Sequence, residues 1–193
     1  MPPRQPDFPV DPQFVSRWSP RAFAATPMVE AEVMCLLEAA RWAPSASNHQ
    51  PARFAWGLRG DAAFKAIHGG LMGFNTVWAE KAAALVVVAS KPVVEKDGAE
   101  NENVWHAFDA GSAWMSMALQ AQAMGLVAHA TGGFEADVLA PALHLPKGYI
   151  IHAVVAFGTQ GDAADLPEKQ RAREHPSDRR PVRDVAGHGR FLP

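Results

Sequence analysis

Ala84-Leu85-Val86-Val87-Val88-Ala89-Ser90 decides how the rest of the chain is read. A continuous apolar run rich in β-branched residues suits a strand at the buried centre of a sheet. Upstream, Arg53 to Arg59 reads as a second strand, with short helical pieces and a Gly69-Gly70 turn between the two. Downstream, Asn103 to Met124 is the longest helical candidate and is apolar around much of its circumference, so it should be buried on several sides. Its small residues Ala107, Ala110, Gly111, Ala113 and Ala118 would allow close approach of another helix, either in the core or across a subunit interface. Beyond it come a Gly132-Gly133 loop, a short helix from Glu135 to Leu143, a turn at Pro146-Lys147-Gly148 and a strand from Tyr149 to Phe157.

Nearer the start, Val29, Val33, Leu36, Leu37 and Ala40 fall on one face of a helix from Val29 to Ala43. Thr26 and Pro27 are its expected N-cap and first position, and Pro44 its stop. Helices mixed with a few strands make the class α+β. Residues 1–13 are proline-rich and aperiodic and are expected to form an extended arm. Residues 14–160 form the domain, and the polar, Arg-rich residues 161–193 form a C-terminal arm belonging to it.

The 193 residues, 48% hydrophobic and 20% charged, suffice for one domain with a sizeable core. A formal charge of −2 gives no whole-chain field favouring nucleic acid or an anionic membrane. His106, Asp109, Gln120 and Gln122 interrupt the most apolar segment, against a membrane span. The lone Cys35 cannot close an internal disulfide, and Met1-Pro-Pro-Arg-Gln-Pro has no apolar stretch resembling a secretory signal. A cytoplasmic location is the expectation.

Four clusters carry candidate chemistry. Arg17-Trp18-Ser19-Pro20-Arg21 places two guanidinium forks and a hydroxyl within five residues, a set suited to phosphate oxygens, although such arginines taken alone are usually solvated surface. In Pro44-Ser45-Ala46-Ser47-Asn48-His49-Gln50-Pro51, the Asn and Gln carboxamides offer the donor and acceptor pair that a heterocycle edge needs; the plain alternative is a Ser, Asn and Pro turn. Ala130-Thr131-Gly132-Gly133-Phe134 would let backbone approach a flat ligand, or is simply a flexible turn. Arg179-Arg180-Pro181-Val182-Arg183 would complete a phosphate site, or is a solvated tail.

Together these clusters resemble the FMN-dependent nitroreductase family across nearly the whole chain. Arg17 through Phe23 is similar to the family's Arg-x-Ser-x-Arg-x-Phe opening, whose side chains hold the flavin phosphate. Glu38 through Pro51 resembles its second signature, in which the Asn, here Asn48, reads the flavin pyrimidine. Phe108-Asp109-Ala110-Gly111, Gly125-Leu126 and Gly132-Gly133-Phe134 resemble its third block, where a backbone N–H faces flavin N5.

The resemblance implies a mostly antiparallel central sheet flanked by helices and a homodimer with an FMN at each interface site. It also implies a buried interface helix and a C-terminal arm crossing to the partner. The cofactor residues it carries over are Arg17, Trp18, Ser19, Arg21, Ser45, Asn48, Gln50, Gly132 and Gly133, with Arg179 or Arg180 returning to the phosphate. Phe74 and Asn75 stand as substrate contacts in a segment that often borders the mouth of the family's site; Phe74 and Trp78 equally suit a core. The implied activity is ping-pong: NADH or NADPH gives hydride to N5 and leaves, and a small acceptor such as a nitroaromatic or quinone takes its place. No catalytic side chain is then needed.

Two departures bear on substrate: Ala52 stands where many members carry Trp, and Gly132 where other branches carry Glu. Scattered histidines without His-Glu-x-x-His or Cys pairs give a metal site little support. Ser112 lacks a Gly-x-Ser-x-Gly elbow, and Gly69-Gly70-Leu71-Met72-Gly73 is no dinucleotide fingerprint. Two alternatives are a different flavin chemistry on the same fold, such as flavin reduction, dehalogenation or dehydrogenation, and a non-catalytic flavin-binding protein.

Overall fold

A computed structural model describes residues 4–192. In chain order the main elements are α1 (Pro12–Ser16), α2 (Glu30–Arg41), β1 (Ala52–Leu58), α3 (Ala62–Gly69), α4 (Asn75–Ala79), β2 (Ala84–Ser90) and the hairpin strands β3 (Val93–Lys96) and β4 (Ala99–Glu102). There follow α5 (His106–Ala123), β5 (Val127–Thr131), α6 (Ala136–Ala142), β6 (Ile150–Gly158), α7 (Glu168–Arg171) and α8 (Val182–Val185).

Side chains of β2 point alternately to two cores. Ala84, Val86 and Val88 join Val33, Leu36, Ala113 and Met117 of α2 and α5 on one face of the sheet. Leu85 and Val87 join Phe64, Ile67, Trp78 and Leu139 of α3, α4 and α6 on the other. With both faces covered, every residue of β2 is buried, which is why its sequence is apolar throughout rather than alternating. The sheet order is β1-β2-β6-β5, all neighbours antiparallel, so the expected class and mostly antiparallel sheet are observed. Gly57 stands where α3 crosses β1: a Cβ there would run into the backbone of Phe64, so only glycine permits this crossing.

The long helix resolves its own ambiguity. Ala110, Ala113 and Ala118 face the core, whereas Val104, Ala107, Phe108 and Gly111 are exposed on the opposite side. Small residues on this helix thus serve two faces, one packed within the chain and one left open.

Several boundaries differ from the sequence reading. α2 is capped at Val29 rather than Thr26, because the Glu32 carboxylate accepts the Val29 N–H at 2.8 Å and so satisfies a donor that a Thr cap would have left aside. Within the supposed extended arm, the Asp11 carboxylate accepts from Gln13 N–H at 2.9 Å and Pro12 takes the first helical position, which starts α1 two residues before Phe14. Residues 1–3 of that arm lie outside the described residues.

The tail lies against its own chain. Glu174 Oε1 accepts from the backbone N–H groups of Arg21 and Ala22 at 2.6 and 2.7 Å, and Val182 N–H donates to the Asp7 carboxylate at 2.7 Å. Removing the Glu174 carboxylate leaves two N–H groups without their acceptor, a loss of about 1–3 kcal/mol. Glu174→Ala is therefore expected to expose the Arg-rich tail to trypsin markedly faster than wild type, and an unchanged cleavage rate would show that the latch is dispensable.

Candidate functional site

All four clusters contribute to two cavities in the single chain, the glycine-loop cluster through Ala130. Arg17, Trp18, Ser19 and Arg21 line a cavity of about 750 Å³ together with Phe74 and Arg179. Ser45 and Gln50 line a separate cavity of about 290 Å³ whose wall includes Asp109 and Ala113 of α5. Asn48, Asn75, Gly132, Gly133 and Arg180 line neither. Of the two arginines left open by the sequence, Arg179 is the one facing the large cavity.

The large cavity is cationic. Arg4, Arg17, Arg21, Lys169, Arg173 and Arg179 all line it, and among the described residues none of them forms an ion pair with a carboxylate. Burial, and then the neighbouring charges of Arg179 and Arg4, hold the Arg17 guanidinium below its usual range. Such crowding of like charges is relieved by an anion. Arg17 is already oriented, donating to the carbonyl of Trp18 at 3.1 Å and to Ser19 Oγ at 3.3 Å.

His129, on β5, forms part of the cavity wall and was not singled out by the sequence. Its Nδ1–H donates to the Pro20 carbonyl at 2.9 Å, and its ring tilts over Trp78 with centroids 4.6 Å apart. Burial is the main cause that pushes its pKa down, with the Pro20 carbonyl acting in the opposite direction.

The Ser45–Gln50 loop holds an unusual backbone. Ser47, Asn48 and Gln50 have φ of 48°, 57° and 48°, in the left-handed region that non-glycine residues seldom enter and that costs on the order of 1 kcal/mol or more per residue. Surrounding bonds hold it there. Ser45 Oγ accepts Gln50 N–H at 2.9 Å, and the buried Asp109 carboxylate accepts Ala46 N–H at 3.2 Å. The result is a rigid, solvent-facing display of Asn48 and Gln50.

The Gly132-Gly133 loop packs against the segment after α3: Met72 N–H donates to Gly133 O at 2.9 Å and Glu135 N–H to Gly70 O at 2.8 Å. Asn75 is occupied structurally, its Nδ2 donating to Gly133 O at 3.3 Å and its Oδ1 accepting the Trp78 indole N–H at 3.1 Å. Thr131 Oγ1 takes the Gly133 N–H at 3.1 Å.

Behind the strained loop, Ser90 Oγ lies 2.8 Å from His106 Nδ1 and 2.6 Å from His152 Nε2. His152 sits at the register shift of β6, between the residues paired with Val88 and Ala89, and the bulge aims it at Ser90. Burial first, and then the His106 charge, lower the His152 pKa. For His152 and His129 alike, the unfolded chain binds a proton at a higher pH than the folded one. Stability is therefore retained above the unfolded value of about 6.5 and falls as pH drops below it towards the folded values. Urea midpoints should be lower at about pH 5.5 than at about pH 8, with the difference reduced in His152→Gln; a midpoint independent of pH would contradict this.

No helix of the described residues is long and apolar enough to cross a membrane, and no group of three or more His, Cys, Asp or Glu among them could hold a metal ion.

The model of the nitroreductase family matches residues 15–65 and 60–159, so the chain belongs to the nitroreductase family. A 15.4 kDa protein of Mycolicibacterium smegmatis, named for its place in the ask 5′ region, is 34% identical over 125 residues, 63% of this chain and 80% of that one. A crystal structure of an oxidoreductase containing FMN superposes with a TM-score of 0.95 at 43% identity, covering 98% of this chain and 96% of the other. A chain from Exiguobacterium sibiricum solved in complex with FMN matches with a TM-score of 0.75 over 96% of this chain and 99% of that one; at 23% identity it speaks for the fold.

Proposed function

We propose that two copies of this chain bind FMN between them and use it to carry electrons from NADH or NADPH to a small oxidised acceptor such as a nitroaromatic or quinone. The observation that carries this reading is the division of the site: phosphate-type groups gather in one cavity while the heterocycle-reading loop is displayed elsewhere on the same chain. The exposed face of α5 explains how the halves could meet. Phe108 is 74% exposed and Trp105 56%, edge to face with ring centroids 6.3 Å apart, and Trp42 at the end of α2 is 73% exposed. Large aromatics left uncovered next to a helix face containing Ala107 and Gly111 suit a subunit interface.

The residues fit the cofactor. Arg17, Ser19 and Arg179 would hold the phosphate, with Arg21 adding charge and Trp18 wall. Asn48, Gln50 and Ser45 of the second copy would meet the polar edge of the ring system. With the Gly133 N–H engaged by Thr131, Gly132 would offer the backbone donor facing N5. When bound, FMN would supply two-electron chemistry at N5, passing a hydride equivalent from the nicotinamide to the acceptor, which gains its second hydrogen as a solvent proton. Phe74 in the cavity wall would contact the acceptor, whereas Asn75 would act through the Gly133 loop that it braces. The C-terminal arm would continue onto the partner through the exposed Val185 and Phe191. The cytoplasm, with its NAD(P)H, is the compartment this chemistry fits.

Arg17→Ala tests the phosphate assignment. Loss of one charged hydrogen-bonding group of about 1.5–3 kcal/mol should weaken FMN binding by about 10- to 100-fold, read by flavin fluorescence on titrating the apoprotein. Unchanged FMN affinity would remove Arg17 from the site.

A further inference from the structure

The cations of the large cavity outnumber what one phosphate requires. A flavin phosphate brings about two negative charges. The nearby carboxylates are Glu174, turned onto the Arg21 and Ala22 N–H groups, and Asp178, whose charge acts on Arg4. Set against six cationic side chains, these leave about two positive charges unbalanced.

The surplus has a location. Arg17 and Ser19 come from the opening segment, whereas Lys169 and Arg173 come from α7 and the turn after it, four residues apart on the tail. Between them, Gln170 also lines the cavity, and its Oε1 is buried without a hydrogen-bond partner. That Oε1 is closed to the cavity, so a ligand there meets the cations on either side of it. Two cations beyond those that one phosphate needs are the complement of a second phosphate monoester, carried on a ribose. NADPH has that group on its adenosine ribose, and NADH lacks it.

We propose that Lys169 and Arg173 recognise the phosphorylated ribose of NADPH and make it the preferred hydride donor, an inference that rests on the FMN-reductase reading above. The discrimination is one of charge: the phosphate adds about two negative charges that only this donor brings to the cavity.

The test titrates FMN-loaded protein with adenosine 2′,5′-bisphosphate and adenosine 5′-monophosphate by calorimetry, and measures kcat/KM for NADPH and NADH. The bisphosphate should bind at least about tenfold more tightly, and Lys169→Ala and Arg173→Ala should each reduce both that advantage and the NADPH:NADH ratio by about tenfold. Equal affinity for the two nucleotides, or an unchanged ratio in both variants, overturns the proposal. Loss of FMN from Lys169→Ala and Arg173→Ala also overturns it, because these cations would then hold the flavin phosphate, while the flavin reading stands. A wild-type protein that takes up no FMN defeats the flavin reading and this inference with it.

Discussion

Coexpressing Arg17→Ala/Arg179→Ala chains with Asn48→Ala/Gln50→Ala chains is expected to restore FMN binding that neither variant shows alone. If phosphate and ring are held by different copies, each variant homodimer has two damaged sites. A mixed dimer concentrates all the damage in one site and leaves the other intact. Random pairing makes half the dimers mixed, so flavin per chain should recover to about one quarter of wild type. The structural basis is the separation of the Arg17 cavity from the Ser45–Gln50 cavity within one chain. Flavin content of the coexpressed pool, and of doubly tagged mixed dimers purified from it, where about one half of wild type is expected, decides the matter: no recovery would mean that one chain holds the whole cofactor.

Phe108→Lys should convert the proposed dimer to a monomer and lower its flavin content by more than about tenfold. With Phe108 74% exposed, a lysine there disturbs little of the isolated chain's core, and surface substitutions of this kind usually change stability by within about 0.5 kcal/mol. In an apolar interface the same lysine would have to be buried without a partner, which costs several kcal/mol. Mass from light scattering, circular dichroism and flavin absorbance should separate the effects: a folded monomer without flavin is expected. A dimer that keeps its FMN would show that this face of α5 is not the interface.

How legible each element is in the sequence depends on how far its local pattern differs from its surroundings. The apolar run Ala84–Ser90 matched β2 residue for residue, because a strand covered on both faces has a sequence unlike anything around it. The short β5, Val-Ala-His-Ala-Thr, escaped notice: small residues and a histidine give little periodicity, and its identity comes from pairing with β6. The β3–β4 hairpin also escaped, although Asp97-Gly98, with φ of 55° and 76°, is a recognisable turn pair. Its strands are four residues each and mostly exposed, with only Val93 and Val94 half-buried, so hydrophobic pattern does not reveal them.

The same contrast holds at the site. Arg17, Ser19 and the Ser45–Gln50 loop were readable as local clusters of binding groups, yet their distribution between two cavities depends on tertiary structure. Lys169, Gln170 and Arg173 lie in a segment whose composition reads as solvated tail. Glu174 folds that segment back onto Arg21 and Ala22, and only then do its cations face a cavity. Asn75, read as a substrate contact, has its amide committed to Trp78 and Gly133, a use that no local pattern signals.

The proposed activity requires this chain to carry a flavin able to accept hydride from a nicotinamide. The most direct measurement is the visible absorption spectrum of the purified protein, recorded before and after anaerobic addition of NADPH and, separately, NADH. A flavin band that bleaches, faster with NADPH, is the predicted result; no flavin bound even after FMN is supplied, or a flavin left oxidised by both donors, would contradict it.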